Sequence, residues 1–538
     1  MPSILAGVGL ALSLPPWGFW ILAFPAAGLL WWRLAGLRPR TRLWAGWLAG
    51  LGCFVPGLMW ARAFTVAGAI ALIVIEALFP AVACLFVPSR PIGARALAYP
   101  AALTLAEAAR MSWPFGGLPL GGVFLGQAGG PVLGVARLGG PLLLTAAVFA
   151  GGVAVAGVVQ VIATAAIRTR TGSRAERWLE TQRWLGTQRV GLKTENSTGH
   201  ESGRPTLVLV GSVALVAVVL ISITADYAPD GGPARGTVTA AAVQGGGVRG
   251  FRKSQVDPAV VLAAQYAATA RMQQLDHGLA PQLVLWPEDV VSLSAPLDDP
   301  TAERSLSKLT VTLHSTLVVG LTENVSTTAF RNEIVAWDPN GAIVSKFEKV
   351  HRVPFGEYVP YRGFFGHLAD LSSVPLDAIP GTGTGLLPTP AAPLGALVSF
   401  EVFYADRGRS SVRAGAQLLI VPTNTSSYST SQVPTQEIAA AEVQAVEQGR
   451  DLIQAAPTGL SGVVDHRGHL LSRSTLGRQQ VIFATLDRRT GETLYVRYGD
   501  APVLALAGLV LLGGWIMYAR ESRRRHGISH AGKAPGHA

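Results

Sequence analysis

Four polar residues in the second half of the chain lie beside apolar segments, and their side chains could do chemistry together. Glu288 follows LVLWP (283–287), Lys349 and Glu357 lie in FEKVHRVPFGEYVP (347–360), and Ser399 lies near the end of ALVSF (396–400). A carboxylate just past a buried strand is partly desolvated, which favours its use as a general base. A lysine can stabilise an oxyanion, and a hydroxyl at a strand-to-helix elbow can act as a nucleophile.

Each of these residues also has a plainer interpretation when it is considered alone. Glu288 could begin a helix and be stabilised there by the helix dipole. Lys349 taken singly is typical of a surface lysine, Glu357 is ambiguous, and Ser399 is typical of a small turn residue. Only the four residues as a set therefore indicate a catalytic site.

The segments that position these residues alternate between short apolar runs and Ala-rich helical stretches. The pattern predicts strands at 237–244, 283–287, 316–320, 396–400 and 417–422, antiparallel strands around 328–348, and helices ending near 275 and covering 436–448. Continuous apolar strands that alternate with helices favour an α/β layered domain with both faces of the sheet covered. Such strands usually present functional groups at their carboxyl ends.

Much of the remaining chain is apolar enough to require a bilayer. Of the 538 residues, 49% are hydrophobic and 14% are charged, which is too few charges for a soluble protein of this size. We predict eight membrane spans, six within 1–167, one within 205–225 and one at 501–518. The Gly- and Pro-rich segment 113–127 is a poor span and is expected to form a re-entrant or interfacial loop.

Arginine clusters predict the orientation of these spans. They occur at 33–42, 90–95, 168–177 and 520–525, between predicted spans or after the last one. If all four clusters are cytoplasmic, an alternating topology places 226–500 on the extracytoplasmic face. We therefore predict a polytopic α-helical membrane protein with an inserted α/β domain at 226–500, a basic cytoplasmic linker at 168–204 and a basic cytoplasmic tail at 519–538.

Two other functional classes are not favoured by the composition. The net charge of +11 does not indicate nucleic acid binding, because the basic residues cluster beside apolar runs, where they orient spans and meet anionic lipid. Cys53 and Cys84 lie in apolar stretches and indicate neither a disulfide framework nor a metal site. Because no cysteine follows Cys84, the predicted α/β domain contains no thiol nucleophile.

Together, the candidate residues and their flanking sequences resemble the Glu–Lys–Cys series of the nitrilase, or carbon-nitrogen hydrolase, superfamily. WPE (286–288), FEKVHRVPFGEYVP (347–360) and VSFEVF (398–403) carry this resemblance in that order. HRVPFGEYVP, AAVQGG (241–246), the run at 434–468 and YVRYGD (495–500) are similar to the apolipoprotein N-acyltransferase family. The resemblance implies a nitrilase-like αββα sandwich that follows seven spans and precedes one.

The resemblance also implies a role for each candidate residue. Glu288 would be the general base, Lys349 the cation that stabilises the oxyanion, and Ser399 would occupy the position of the nucleophile. Glu357 and Glu401 would be supporting carboxylates.

Three further residues, Phe400, Asn424 and Tyr428, are implied to contact substrate. The implied reaction transfers a fatty acyl chain from a membrane phospholipid to the α-amine of a diacylglyceryl-modified lipoprotein cysteine. The implied partners are thus phospholipid and lipoproteins, with a membrane-protein partner left open and no metal or soluble cofactor expected. The implied location is a bacterial plasma membrane, with the catalytic domain on the extracytoplasmic face.

The chain departs from the family pattern at its central position. Ser399 lies where the family has its nucleophilic cysteine, and Phe400 lies where a tyrosine is usual. In the loop NTSSYS (424–429), the family's tryptophan is missing and Tyr428 replaces a phenylalanine. A hydroxyl is far less acidic than a thiol, so its proton must be removed during attack. Two alternatives stay open: a catalytically impaired homologue that binds lipid or lipoproteins, and a membrane-tethered amidase or esterase.

Overall fold

A computed structural model of the chain describes residues 1–63, 66–185, 204–247, 256–275, 280–294, 300–367, 371–372, 374–428 and 431–531. Within these ranges, an N-terminal helical region contains α1 (Pro2–Ser13), α2 (Ala23–Arg33), α3 (Pro39–Leu58), α4 (Val66–Phe86), α5 (Ile92–Arg110), α6 (Ala136–Leu185) and α7 (Arg204–Asp226). The helix α14 (Ala501–Ala531) follows the last strand.

Five described helices are long and apolar enough to cross a membrane. They are α3, α4, α6, α7 and α14, and they coincide with five of the eight predicted spans. The other three stay predictions, because α1 and α2 have only 12 and 11 residues and α5 is less apolar. Helices α6 and α7 pack closely at Gly157 and Gly211, where a Cβ on either residue would lie 2.6 Å from the other's Cα.

Two helices continue beyond the predicted ends of their spans. Helix α6 extends to Leu185, so the first part of the predicted linker 168–204 is helical, while 186–203 lies outside the described residues. Helix α14 likewise extends past the predicted end of the span at 518. Both polar continuations are rich in Arg, which favours helix without requiring an apolar environment. Hydropathy therefore located these two spans but not the ends of their helices.

The α/β domain lies between α7 and α14 and contains two sheets. The first sheet has the order β14-β1-β2-β4-β5-β6, with β3 beside β4 and β7 beside β5, and the second has the order β13-β12-β11-β10-β9-β8. The first sheet contains β1 (Thr237–Gln244), β2 (Leu283–Leu285), β3 (Val291–Leu293), β4 (Thr316–Asn324), β5 (Ala329–Trp337), β6 (Ile343–Glu348), β7 (Asp377–Ala378) and β14 (Gln480–Asp487). The second contains β8 (Leu386–Leu387), β9 (Leu394–Ala396), β10 (Leu418–Pro422), β11 (Leu452–Ala455), β12 (Gly462–Val464) and β13 (Leu470–Arg473).

Helices cover the outer faces of both sheets. One apolar core joins the facing sides of the two sheets, and a second lies between the first sheet and the helices α8 (Pro258–Leu275) and α9 (Pro300–Leu313). The second sheet carries α11 (Ala405–Arg413) and α12 (Val433–Gln448), whose core is continuous with that of the membrane helices. The short helices α10 (Arg362–Phe365) and α13 (Leu494–Tyr498) complete the domain. The predicted αββα sandwich is confirmed.

Most predicted strands and helices of the domain are present, with one correction near Ser399. Strands β1, β4 and β10, the antiparallel pair β5 and β6, and helices α8 and α12 occupy their predicted positions. The strand predicted at 396–400 ends at Ala396, and a 3-10 helix covers Ser399–Phe403. Segment 113–127 forms turns and a 3-10 helix at Val123–Gln127 rather than a spanning helix, as expected from its Gly and Pro content.

Candidate active site

Glu288 lies just beyond the carboxyl end of β2, in the interior of the first sheet. Strand β2 pairs in parallel with β1 and β4, which places its end among buried neighbours. The residue begins a turn, so the alternative of a helix N-terminal carboxylate is wrong. The neighbouring strand must have a glycine here, because a Cβ on Gly320 would lie 2.5 Å from the Cα of Glu288. The carboxylate is thus held deep in the domain, with its residue 4% exposed.

Lys349 follows β6 and binds both nearby carboxylates. Its ammonium donates to Glu288 Oε1 at 2.8 Å and to Glu357 Oε1 at 2.7 Å. The Asn332 amide, from β5, donates to the same two oxygens at 2.8 and 3.2 Å. Because Lys349 is 1% exposed, its interpretation as a surface lysine is wrong. The structure brings Glu288, Lys349 and Glu357 together, as the sequence argument requires.

Burial and charge act in opposite directions on this cluster. Burial raises the pKa of Glu288 above its usual range, and the positive charge of Lys349 partly offsets the effect. Burial lowers the pKa of Lys349, but the charges of Glu288 and Glu357 outweigh this, so the net pKa lies above the ordinary value. Lys349 is consequently held as a cation at neutral pH, which is the form needed to stabilise an oxyanion.

Ser399 lies at the start of the turn that follows β9. Its φ of 50° is in the left-handed region, an uncommon conformation for a serine, which rules out an extended strand through this position. A sharp turn of this kind projects a side chain away from the end of a sheet, as a nucleophile elbow does. The residue is 9% exposed, so the hydroxyl lies at the base of the site rather than on the surface.

Glu401 connects the serine turn to the chain after Lys349. Its carboxylate accepts hydrogen bonds from the backbone N–H groups of Val350 and His351, at 2.8 and 3.0 Å, and of Val398, at 2.9 Å. Its side chain is fully buried. A single carboxylate thereby fixes the segments on either side of the site relative to each other. That Glu401 supports catalysis stays a prediction.

A second carboxyl group approaches Ser399 from helix α12. Thr423, just after β10, has its hydroxyl 3.2 Å from Ser399 Oγ and 2.5 Å from Glu437 Oε1. Thr423 and Glu437 are both almost completely buried. Burial raises the pKa of Glu437 to about 8, and the charge of Glu288 acts in the same direction. Ser399 is therefore connected through Thr423 to a protonatable group that the sequence analysis did not identify.

The three predicted substrate contacts have different surroundings. The ring of Phe400 packs edge-on against Tyr404, with a centroid distance of 5.2 Å. Asn424 Oδ1 accepts from the backbone N–H of Ser426 at 3.2 Å, an Asx-type contact within the loop. Burial raises the pKa of Tyr428, and the charge of Glu357 adds to this, which places the phenol near the Lys349 cluster.

The loops of the site contact the membrane helices directly. The Tyr428 ring packs edge-on against Trp60 at a centroid distance of 5.3 Å, and Gln432 Nε2 donates to Pro56 O at 2.6 Å. From the loop before α6, Gly121 N donates to the side chain of Gln436 at 3.0 Å. Residues from the membrane helices and their loops thus form one side of the site.

The fold and the site define an α/β domain of the carbon-nitrogen hydrolase class mounted on membrane helices. Residues 239–495 match the family described as "Carbon-nitrogen hydrolase", and residues 6–154 match "Apolipoprotein N-acyltransferase N-terminal domain". The chain is a multi-pass membrane protein that belongs to the apolipoprotein N-acyltransferase family, within the nitrilase superfamily.

Relatives match over nearly the whole chain. It is 29% identical to the "Apolipoprotein N-acyltransferase" of Mycolicibacterium smegmatis, over 95% of this chain and 84% of that protein. It is 24% identical to the protein of the same name from Shewanella oneidensis, over 96% of both chains. A "carbon-nitrogen hydrolase from Helicobacter pylori G27" is 17% identical with a TM-score of 0.37, covering 50% of this chain and 95% of that one.

Sequence reasoning missed four residues that contribute to the site, namely Asn332, Thr423, Glu437 and Trp60. Asn332 and Thr423 are polar residues in or beside apolar strands, a signal that could have marked them as buried polar groups needing partners. Glu437 lies in an Ala-rich helix with other acidic residues, and no pattern in the neighbouring sequence marks it as buried. Trp60 was missed because the residue that it contacts, Tyr428, is several hundred residues away in the sequence.

Proposed function

We propose that this protein is a lipoprotein N-acyltransferase in which Ser399 carries the acyl group. The observation that most supports the proposal is the buried cation Lys349, paired with Glu288 and Glu357 and tied by Glu401 to the turn that presents Ser399. A fixed cation whose segment is tied to the turn that carries the nucleophile suits reactions that pass through a tetrahedral oxyanion.

In the first step, Ser399 Oγ attacks the carbonyl carbon of a phospholipid ester. Glu288 accepts the proton of Ser399, and Lys349 stabilises the negative charge that develops on the carbonyl oxygen. The ester C–O bond then breaks, and the departing lysophospholipid oxygen takes up a proton. The products are a lysophospholipid and an acyl ester on Ser399.

In the second step, the α-amine of a diacylglyceryl-modified lipoprotein cysteine attacks the acyl ester. An amide bond forms, the bond between the acyl carbon and Ser399 Oγ breaks, and the serine recovers its proton. Both substrates are anchored in a bilayer, which agrees with a site built partly from membrane helices through Trp60 and Pro56. We place this site on the extracytoplasmic face of a bacterial plasma membrane, from the arginine distribution.

The proposal is tested in a bacterium depleted of its own N-acyltransferase, by mass spectrometry of a reporter lipoprotein's N-terminus. The natural chain is expected to add a third acyl group, whereas Ser399→Ala and Glu288→Gln are expected to add none. Ser410→Ala, on the partly exposed helix α11, is the matched control and should behave like the natural chain. A natural chain that acylates no better than Ser399→Ala would refute the proposal, and release of free fatty acid instead would indicate a hydrolase.

A second candidate function is a lipid- or lipoprotein-binding homologue without acyl transfer. It is favoured by one observation: within the described residues, the hydrogen-bond partner of Ser399 Oγ is Thr423, while Glu288 binds Lys349 and Asn332. This candidate predicts that Ser399→Cys acylates the reporter while the natural chain does not, because a thiol ionises without direct contact with the base.

A further inference from the structure

Ser399, Thr423 and Glu437 form a continuous hydrogen-bonded chain on the side of the site that faces α12. The Thr423 hydroxyl bridges Ser399 Oγ and Glu437 Oε1 at 3.2 and 2.5 Å. Glu437 is 1% exposed and Thr423 is fully buried, so bulk water does not compete for these contacts. A glutamate in such a place costs folding free energy unless it is neutral or well bonded.

The count of protons allows two arrangements of this chain. A threonine hydroxyl has one proton, so Thr423 can donate to only one of its two neighbours at a time. If Glu437 is ionised, Thr423 donates to Glu437 and receives the hydrogen of Ser399. If Glu437 is protonated, it donates to Thr423, and Thr423 donates to Ser399 Oγ. The two arrangements differ by one proton and by the direction of both hydrogen bonds.

We propose that Thr423 and Glu437 are a second proton path that activates Ser399, an inference that rests on the proposed nucleophilic role of this serine. As Ser399 Oγ forms its bond to the acyl carbon, its proton moves to Thr423 Oγ1 instead of to Glu288, and the Thr423 proton moves to Glu437. When the ester C–O bond breaks, the departing oxygen takes up one proton and Glu437 loses one, so no co-reactant is consumed. Thr423 contacts the nucleophile directly, and Glu437 is a positioning residue that acts through it.

Two features of the site support this path. Glu288 is already bonded to Lys349 and Asn332 through one oxygen, so its partners hold it toward the cation. A serine needs a base in a way that a cysteine does not, since its hydroxyl remains protonated at neutral pH. Burial gives Glu437 a pKa of about 8, and the charged groups that act on it are Glu288 and Lys349. A carboxyl group with a pKa near neutrality can both accept and return a proton.

The test measures acylation of the full-length protein in lipid nanodiscs with p-nitrophenyl palmitate. The burst of p-nitrophenol reports formation of the acyl-enzyme, and Ser399→Ala defines the background. Glu437→Gln keeps an acceptor for the Thr423 hydroxyl but cannot take its proton, and we expect it to slow the burst roughly 100-fold. Thr423→Val should slow it similarly, while Thr423→Ser should restore the rate. Glu442→Gln, a buried glutamate of the same helix, is the matched control and should leave the rate unchanged.

The same variants in a Ser399→Cys background separate proton transfer from structural support. A thiol ionises readily, so Glu437→Gln should slow the cysteine enzyme less than threefold, whereas a purely structural role would slow both backgrounds equally. Equal slowing in the two backgrounds, an unchanged burst in Glu437→Gln, or no Ser399-dependent burst in the natural chain overturns the inference. Lipoprotein acylation is scored separately: a Glu437-dependent burst without reporter acylation would refute the proposed function and leave the proton path supported.

Discussion

The carboxylate of Glu401 should be essential for holding the two halves of the site together, and the structure gives the size of the effect. In Glu401→Gln, the amide oxygen can still accept from Val350 and His351, but the NH₂ group then faces the N–H of Val398. The loss of this charge-assisted hydrogen bond, together with the buried donor that it leaves without a partner, costs about 2–4 kcal/mol. The opposite orientation of the amide loses two bonds and costs more.

The expected local destabilisation is therefore about 2–4 kcal/mol. Hydrogen exchange of the full-length protein in nanodiscs, followed by mass spectrometry of peptides covering 347–353 and 396–401, measures it directly. Since about 1.4 kcal/mol corresponds to a factor of ten, these amides should exchange roughly 30- to 700-fold faster than in the natural chain. Peptides from the outer helices α8 and α9 should keep their rates.

Glu492→Gln is the matched control, because that side chain is 38% exposed and lies 3.6 Å from Arg497 in a surface ion pair. It should change exchange at 347–353 by less than a factor of three. If Glu401→Gln behaved like this control, the carboxylate would not be the connection between the Lys349 segment and the serine turn, and the geometric basis of the proposed site would be wrong.

Three further predictions concern other charged residues of the protein. Lys349→Met should reduce acylation of the reporter lipoprotein at least roughly 100-fold, because it removes the cation next to the oxyanion position, and full retention would refute that role. Glu437 has a pKa of about 8 against 4.5 for an ordinary glutamate. The contribution of this raised pKa to the free energy of unfolding is therefore fully present below about pH 4.5 and is lost as the pH rises through 8. The Tm of Glu437→Gln relative to the natural chain should consequently rise between pH 5 and pH 8, and a constant difference would contradict the burial argument. Arg110→Lys should lower the free energy of unfolding in detergent by about 2 kcal/mol, because lysine cannot make the forked contacts of Arg110 to Glu76 and Glu107. Arg62→Lys, at an exposed position, should leave the free energy of unfolding unchanged.

The sequence was sufficient for the architecture because the architecture depends on periodicity and composition. Long apolar runs specify spanning helices, and short apolar strands between helices specify a covered sheet, as β1, β4 and β10 confirm. The ends of elements were less predictable. The strand near Ser399 ends at Ala396 instead of at 400, because the turn requires a positive φ, which no apolar pattern signals.

The candidate site was predictable only in part, for a similar reason. Glu288, Lys349 and Glu357 were found because their flanking sequences are distinctive, and the structure brings them within hydrogen-bonding distance. Asn332 and Glu437 were missed because their importance arises from contacts between distant segments. Asn332 is 44 residues from Glu288 in sequence, yet its amide binds that carboxylate at 2.8 Å.

These contacts change how the serine at position 399 should be judged. A Glu–Lys pair alone suits a thiol, because the thiol can ionise beside a cation before it attacks. A hydroxyl needs a base in place at the moment of attack. Among the residues that the structure describes, Thr423 is the hydrogen-bond partner of Ser399 Oγ, and Thr423 also binds Glu437. If Glu437 accepts the proton, the serine is matched to its surroundings rather than left in a site built for cysteine. The activity of this protein should then depend on Glu437 as strongly as on Glu288, and replacing Ser399 by cysteine should remove that dependence.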